Sequence, residues 1–185
     1  MQTRDHVLLG RYLLAACDLR LDPICRRLFL FGCIEPDWNW FTYARGSIKY
    51  RLLHGHNAEN AKNHLVCLTK KLLDSGIHTP LQWFRFGATL HYLADSFTFA
   101  HNGFFAGGLQ EHRLYEKLLH NVFAEHLRTE NLPADSANGF THDHYLKEQR
   151  SFRTDCRYIL GASAALCRRL SLRSLPCGLA AASGA

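Results

Sequence analysis

Two histidines and an aspartate stand within an otherwise apolar stretch, HYLADSFTFAH (91–101). Burying such side chains without partners costs several kcal/mol, so His91, Asp95 and His101 must face solvent, pair with one another or share a metal ion. On a helix, His91 and Asp95 lie one turn apart on the same face as Phe84 and Ala88. An imidazole and a carboxylate in this arrangement can both reach one divalent cation.

The stretch HRLYE (112–116) repeats this pattern, with His112 four residues before Glu116. A single pair of this kind is more often a surface ion pair or a satisfied core contact than a metal site. Two pairs with His101 between them favour a metal.

Further candidate ligands occur upstream of these pairs. His6 lies near the start of the first predicted helix, Asp37 precedes an aromatic segment, and His54 and His56 come just before the third predicted helix. This number of ligands exceeds the need of one tetrahedral site. The set therefore predicts a multinuclear centre.

Helical periodicity and capping signals predict the elements that position these residues. No stretch alternates long enough to indicate a sheet, so the predicted fold class is all-α, a multi-helix bundle with the metal centre between helices. We expect one domain over 1–170 and a disordered tail over 171–185. The six predicted helices are 5–20, the short helix ICRRLFLFG (24–32) opened by Pro23 and ended by Pro36, one from the cap Asn57 to Ser75, 80–95, 109–128 and 142–170.

Composition bounds the function classes. The 185-residue chain carries a net charge of +6, which favours an anionic partner, but it has no long basic run typical of a nucleic-acid groove. Seven cysteines without a CxxC pair indicate free thiols and a cytoplasmic location. Leu14 to Cys17 is similar to a lipoprotein cleavage box, but Arg11 interrupts the apolar stretch, so we expect no cleavage there. The dipeptide His142-Asp143 is interpreted as structural.

The motifs together resemble the zinc-dependent phospholipase C family, which shares an all-α fold with the S1/P1-type nucleases. The motifs that carry the resemblance are GCIEPD (32–37), GHNAEN (55–60), HYLADSFTFAH (91–101) and HRLYE (112–116). They span about residues 5 to 120. The nucleases end their ligand set with an aspartate, so Glu116 favours the phospholipase side.

The resemblance implies two or three zinc ions per chain, held by specific residues. One ion would take Asp37, His56, His91 and Asp95. A second would take His101, His112 and Glu116. The third would take His6 and share Asp95. His54 is the alternative to His56. Secreted members begin with a tryptophan whose amine and carbonyl bind the third metal, whereas Met1 to Asp5 precede His6 in this sequence.

These expectations define a metal-dependent phosphodiester hydrolase of the phospholipase C type. Bound zinc lowers the pKa of water to near neutral, and the metal-bound hydroxide would attack phosphorus in line while Asp37 orients it or acts as its base. The expected partner is a phosphodiester, either a phospholipid or a nucleotide, with transient membrane-surface contact and no stable protein partner. The alternatives are a single-strand-type nuclease of the same fold and a non-catalytic metal-binding helical protein.

Overall fold

The chain folds as a bundle of α-helices, with no strand in the three ranges that the computed structural model describes: residues 1–38, 58–132 and 139–171. The all-α prediction is confirmed. The helices are α1 (Thr3–Ala16), α2 (Pro23–Gly32), α3 (Glu35–Trp38), α4 (Ala58–Ser75), α5 (Pro80–Ser96), α6 (Leu109–Thr129), α7 (His142–Tyr145) and α8 (Phe152–Ser171), with a 3₁₀ turn at Phe99–His101. No helix in these ranges is both long and apolar enough to cross a bilayer.

Helix α5 is the central element. It packs against α1, α2, α3, α4 and α8, and nearly all of its second half is buried. Its start is fixed locally because Thr79 and Gln82 form a capping box and Pro80 occupies the first helical position. The helix therefore carries the HYLAD residues into the middle of the bundle.

Helices α2 and α5 approach each other closely through two glycines. A Cβ atom on Gly32 would lie 2.1 Å from the carbonyl oxygen of Phe84, and one on Gly87 would lie 2.1 Å from that of Phe29. The two backbones are nearer than any larger side chain permits. The end of α2 is thereby held against the helix that carries His91.

The first helix ends earlier than predicted. Asp18 adopts a left-handed conformation with φ 47°, and the backbone N–H of Leu19 donates to the carbonyl of Leu14 at 2.9 Å. Asp18 also donates its own N–H to Ala15. This is a Schellman end, with aspartate in the place that glycine usually takes, so the prediction that the helix runs to residue 20 is wrong.

The predicted short helix ICRRLFLFG is confirmed, since α2 runs from Pro23 to Gly32. Pro36, predicted to end it, lies instead in the first turn of α3, where its missing N–H costs nothing. One other predicted boundary is wrong. The segment 142–170 is two helices rather than one. The second begins after Ser151, whose hydroxyl accepts the N–H of Thr154 at 3.0 Å.

Candidate metal centre

Helix α1 brings His6 into the interior. Its neighbour Asp5 is fully buried and forms a close ion pair with His120 of α6, which fixes the start of α1 against that helix. His6 is 1% exposed, and its ring stacks on the ring of His91 with 3.8 Å between centroids. Both ring nitrogens of His6 are buried without a hydrogen bond of good geometry, and Nε2 has only a 3.3 Å contact with Asp95.

Helix α5 supplies His91 and Asp95 to the same place. The Nδ1 atom of His91 lies 2.9 Å from the carbonyl oxygen of Cys33, and a carbonyl can only accept, so Nδ1 carries the proton and donates. This leaves Nε2 facing the cluster, 3.2 Å from Asp95 Oδ2. The other oxygen of Asp95 lies 3.3 Å from Nε2 of His6. His6, His91 and Asp95 are called the first group below.

The second group consists of His101, His112 and Glu116. Nε2 of His101 lies 3.1 Å from Glu116 Oε1, and Nε2 of His112 lies 3.3 Å from the same oxygen. These side chains are 9%, 23% and 15% exposed for His101, His112 and Glu116 respectively, so this group is more open to solvent than the first. It adjoins the first group, since His101 Nδ1 is 3.6 Å from Asp95 Oδ2.

Asp37 lies at the edge of the first group. One carboxylate oxygen is 3.5 Å from Nε2 of His91, and the other accepts a 2.7 Å hydrogen bond from the hydroxyl of Thr3. Its side chain is 19% exposed. The predicted ligand His56 and its alternative His54 lie outside the described residues, so their predicted roles stay predictions.

The α-amino group of Met1 also reaches the centre, which the sequence pattern did not predict. It donates to Asp95 Oδ1 at 2.8 Å, and lies 3.1 Å from Glu116 Oε1 and 3.0 Å from Nε2 of His101. Burial alone would lower the pKa of this amine, but Asp95 and Glu116 outweigh burial and raise its pKa to about 10. A positive charge is therefore favoured between the two groups.

The electrostatics of the cluster suit metal ligation. Burial lowers the pKa of His6 to about 4, helped by the adjacent His91, and burial also lowers the pKa of His101. Burial alone would raise the pKa of Asp95 and of Glu116, yet the neighbouring imidazoles and the amine hold both pKa values below their usual range. Neutral His6 and His101 beside ionised carboxylates are in the protonation state that a metal requires.

The donor atoms of both groups suit zinc. Within each group the three donor atoms all lie within 4.8 Å of one another. Imidazole nitrogen with carboxylate oxygen is a ligand combination typical of Zn²⁺. The two ring nitrogens of His6 are buried without a well-aligned hydrogen bond, an arrangement that costs free energy unless a ligand compensates. The residues present fit the ion.

The low pKa of His6 predicts a pH dependence for the metal-free protein. The folded value of about 4 lies below the unfolded value of 6.5, so between these pH values the unfolded chain binds more protons. The contribution of neutral His6 to the free energy of unfolding is therefore fully present above pH 6.5 and is lost as pH falls to 4. This loss is on the order of 3 kcal/mol.

Urea unfolding of chelated protein at pH 7, 5.5 and 4.5 measures this loss. A His6→Gln variant, which keeps a polar side chain beside Asp95 but cannot titrate, should show a shallower decline over that window. Equal slopes for the two proteins would mean that His6 does not carry the effect.

A helical protein that gathers imidazoles and carboxylates from several helices into two adjoining clusters is a candidate metalloprotein. A sequence model of the zinc-dependent phospholipase C family matches residues 5–160, which is most of the chain, and the chain belongs to this family. No curated protein and no solved structure gave a match.

Several residues that position the centre were missed by sequence reasoning. The carbonyl of Cys33 orients His91, the Asp5–His120 pair fixes the start of α1, and Thr3 holds Asp37. One signal was available. His112, Glu116 and His120 are spaced by four along one helix, so His120 faces the same side as two predicted ligands.

Proposed function

We propose that the chain is a zinc-dependent phosphodiester hydrolase of the phospholipase C type. The main support for this proposal is that the two groups adjoin, since His101 Nδ1 lies 3.6 Å from Asp95 Oδ2. Two separate metal sites need not cooperate, whereas two adjoining sites can act on one phosphoryl group. The family membership supports zinc and hydrolysis.

The proposed ligands divide among three ions. His91, Asp95 and Asp37 hold one ion together with His56. A second ion is held by the second group. A third takes His6 and shares Asp95. When bound, zinc supplies Lewis acidity at the phosphoryl oxygens and lowers the pKa of water at the site.

Asp37 is the proposed catalytic residue. One oxygen of its carboxylate accepts a hydrogen bond from the hydroxyl of Thr3, and this bond fixes the direction of the other oxygen. The other oxygen of this partly exposed side chain can accept a hydrogen bond from a water molecule, orient it and take its proton. The proposed substrate is a phospholipid, reached through transient contact with a membrane surface.

Metal removal and a matched pair of histidine variants test this proposal. Protein purified without chelator should contain two or three zinc ions per chain, and EDTA should abolish hydrolysis of p-nitrophenylphosphocholine and of phosphatidylcholine vesicles. His112→Gln should lose about one ion per chain and most of the activity. His144→Gln, at an exposed histidine outside both groups, should match the parent.

Two outcomes would overturn parts of the proposal. A folded protein that binds no metal, measured by elemental analysis, would exclude the hydrolase. The net charge of +6 favours a nucleic-acid substrate as the second candidate, so single-stranded DNA and RNA belong in the same panel. Cleavage of nucleic acid without turnover of lipid would assign a nuclease, and a large loss of thermal stability on chelation without any turnover would assign a non-catalytic metal protein.

A further inference from the structure

Asp155 is a buried carboxylate outside the metal centre, on helix α8. It is 1% exposed and accepts three hydrogen bonds. Its Oδ2 atom accepts the backbone N–H of Phe99 at 3.0 Å and the hydroxyl of Tyr115 at 2.8 Å. Its Oδ1 atom accepts the hydroxyl of Tyr145 at 2.8 Å. A carboxylate so deeply buried is tolerated because both oxygens have donors.

Two of these three donors belong to the elements that carry the second group. Phe99 begins the 3₁₀ turn that ends at His101, and Tyr115 directly precedes Glu116 on α6. One oxygen atom of Asp155 therefore joins the backbone beside His101 to the helix that carries Glu116. A turn of three residues has too few internal hydrogen bonds to fix its own orientation.

The far side of the turn is held in a similar way. Asn102 is buried, and its amide nitrogen donates to the carbonyl of Thr98 at 2.8 Å. Its amide oxygen lies 2.9 Å from Nε2 of His142, which donates to it. This contact gives His142 a structural role, as the sequence predicts. Helices α7 and α8 therefore contact the turn at its two ends, through His142 and Asp155.

We propose that Asp155 is a positioning residue of the second group, which sets the distance between His101 and Glu116. This inference rests on the proposed function only in treating the second group as a metal site. Without the carboxylate, the Phe99 N–H and the Tyr115 hydroxyl lose their shared acceptor. The turn that carries His101 is then no longer tied to the helix that carries Glu116, so the distance between these two ligands is no longer fixed before the metal binds. Partners of this kind typically contribute about 10- to 100-fold in metal affinity.

Two substitutions at Asp155 separate its hydrogen bonds from its charge. Asp155→Ala removes every acceptor and should weaken metal binding at the second group by about tenfold. Asp155→Asn should stay close to the parent, because the amide oxygen can accept from Phe99 and Tyr115 while the amide nitrogen donates to the oxygen of Tyr145. The measurement is Co²⁺ titration followed by visible absorption, which reports ligand geometry directly.

A second pair of variants keeps the test valid if Asp155→Ala does not fold. Tyr115→Phe and Tyr145→Phe each delete one hydroxyl that donates to the same carboxylate at 2.8 Å. Only Tyr115 lies on a helix that carries metal ligands. Tyr115→Phe should therefore weaken Co²⁺ binding and change its spectrum, whereas Tyr145→Phe should not. Equal effects of the two variants would overturn the positioning role.

A readout in metal-free protein distinguishes this inference from the proposed function. The ring resonances of His101 in the NMR spectrum should shift between the parent and Tyr115→Phe, and remain in place in Tyr145→Phe, before any metal is added. If the parent binds no metal, the proposed function fails and the His101 resonances still decide the positioning role. Unchanged His101 resonances in all variants would overturn the inference even if the parent is an active zinc enzyme.

Discussion

Replacing Asp95 with asparagine is expected to remove metal from the first group and to lower phosphodiester hydrolysis by about 10³-fold. Both oxygens of Asp95 are used. Oδ1 contacts the Met1 amine at 2.8 Å and His6 at 3.3 Å, and Oδ2 contacts His91 at 3.2 Å. Asparagine would turn an amide nitrogen towards one of these positions and would carry no charge. Metal ions supply several kcal/mol of transition-state stabilisation, which corresponds to a factor of about 10³.

The matched control is Asp143→Asn, which changes an exposed carboxylate of α7 outside both groups. Elemental analysis of the two variants should show lost metal only for Asp95→Asn. A substrate assay should give full activity for the control. Parent-like metal content and turnover in Asp95→Asn would reduce Asp95 to an ion-pair partner of the buried histidines and would remove the bridge between the two groups.

Replacing Gly87 with alanine is expected to destabilise the protein by about 3 kcal/mol. The added Cβ would meet the carbonyl oxygen of Phe29 at 2.1 Å and the amide nitrogen of Cys33 at 2.8 Å, both backbone atoms that cannot rotate away. Helices α2 and α5 would have to separate. Because the carbonyl of Cys33 orients His91, metal affinity at the first group should fall as well.

Gly10→Ala is the control for this substitution, since Gly10 is also a buried glycine inside a helix. Its nearest neighbours are side-chain atoms, with Sγ of Cys33 at 3.0 Å, and alanine is a better helix former by about 1 kcal/mol. Chemical denaturation should show a change of no more than that size for Gly10→Ala. Comparable losses in both variants would mean that the α2–α5 approach can relax, which the backbone distances argue against.

The core of the candidate site was predictable because its signal is local. His91 with Asp95, and His112 with Glu116, are spaced by four residues, and helical geometry alone places such pairs on one face. The all-α class followed from the same periodicity. Capping residues fixed the start of α5, where Thr79, Pro80 and Gln82 act within one turn.

The rest of the site depends on contacts that local spacing does not encode. The partner of His91 is a backbone carbonyl, and any residue type at position 33 would supply one. Asp5 and His120 are 115 positions apart, and neither lies in a motif that resembles the family. The break between α7 and α8 was missed because the polar residues 147–151 also suit an exposed helix face, and only the Ser151–Thr154 cap shows where the new helix starts.

The distance along the chain between the partners of the centre has a consequence for how the protein folds. The Met1 amine meets Asp95 across 94 positions, and Asp155 meets Phe99 across 56. Contacts this distant form only after the entropic cost of closing large loops has been met, so they form slowly relative to the helices themselves. A nascent or partly folded chain, even with every helix formed, therefore lacks the centre. Zinc that binds only the assembled centre shifts the folding equilibrium by mass action towards the completed bundle. Metal uptake thus reports that Met1 has docked on α5 and that α8 has docked on the turn at Phe99–His101.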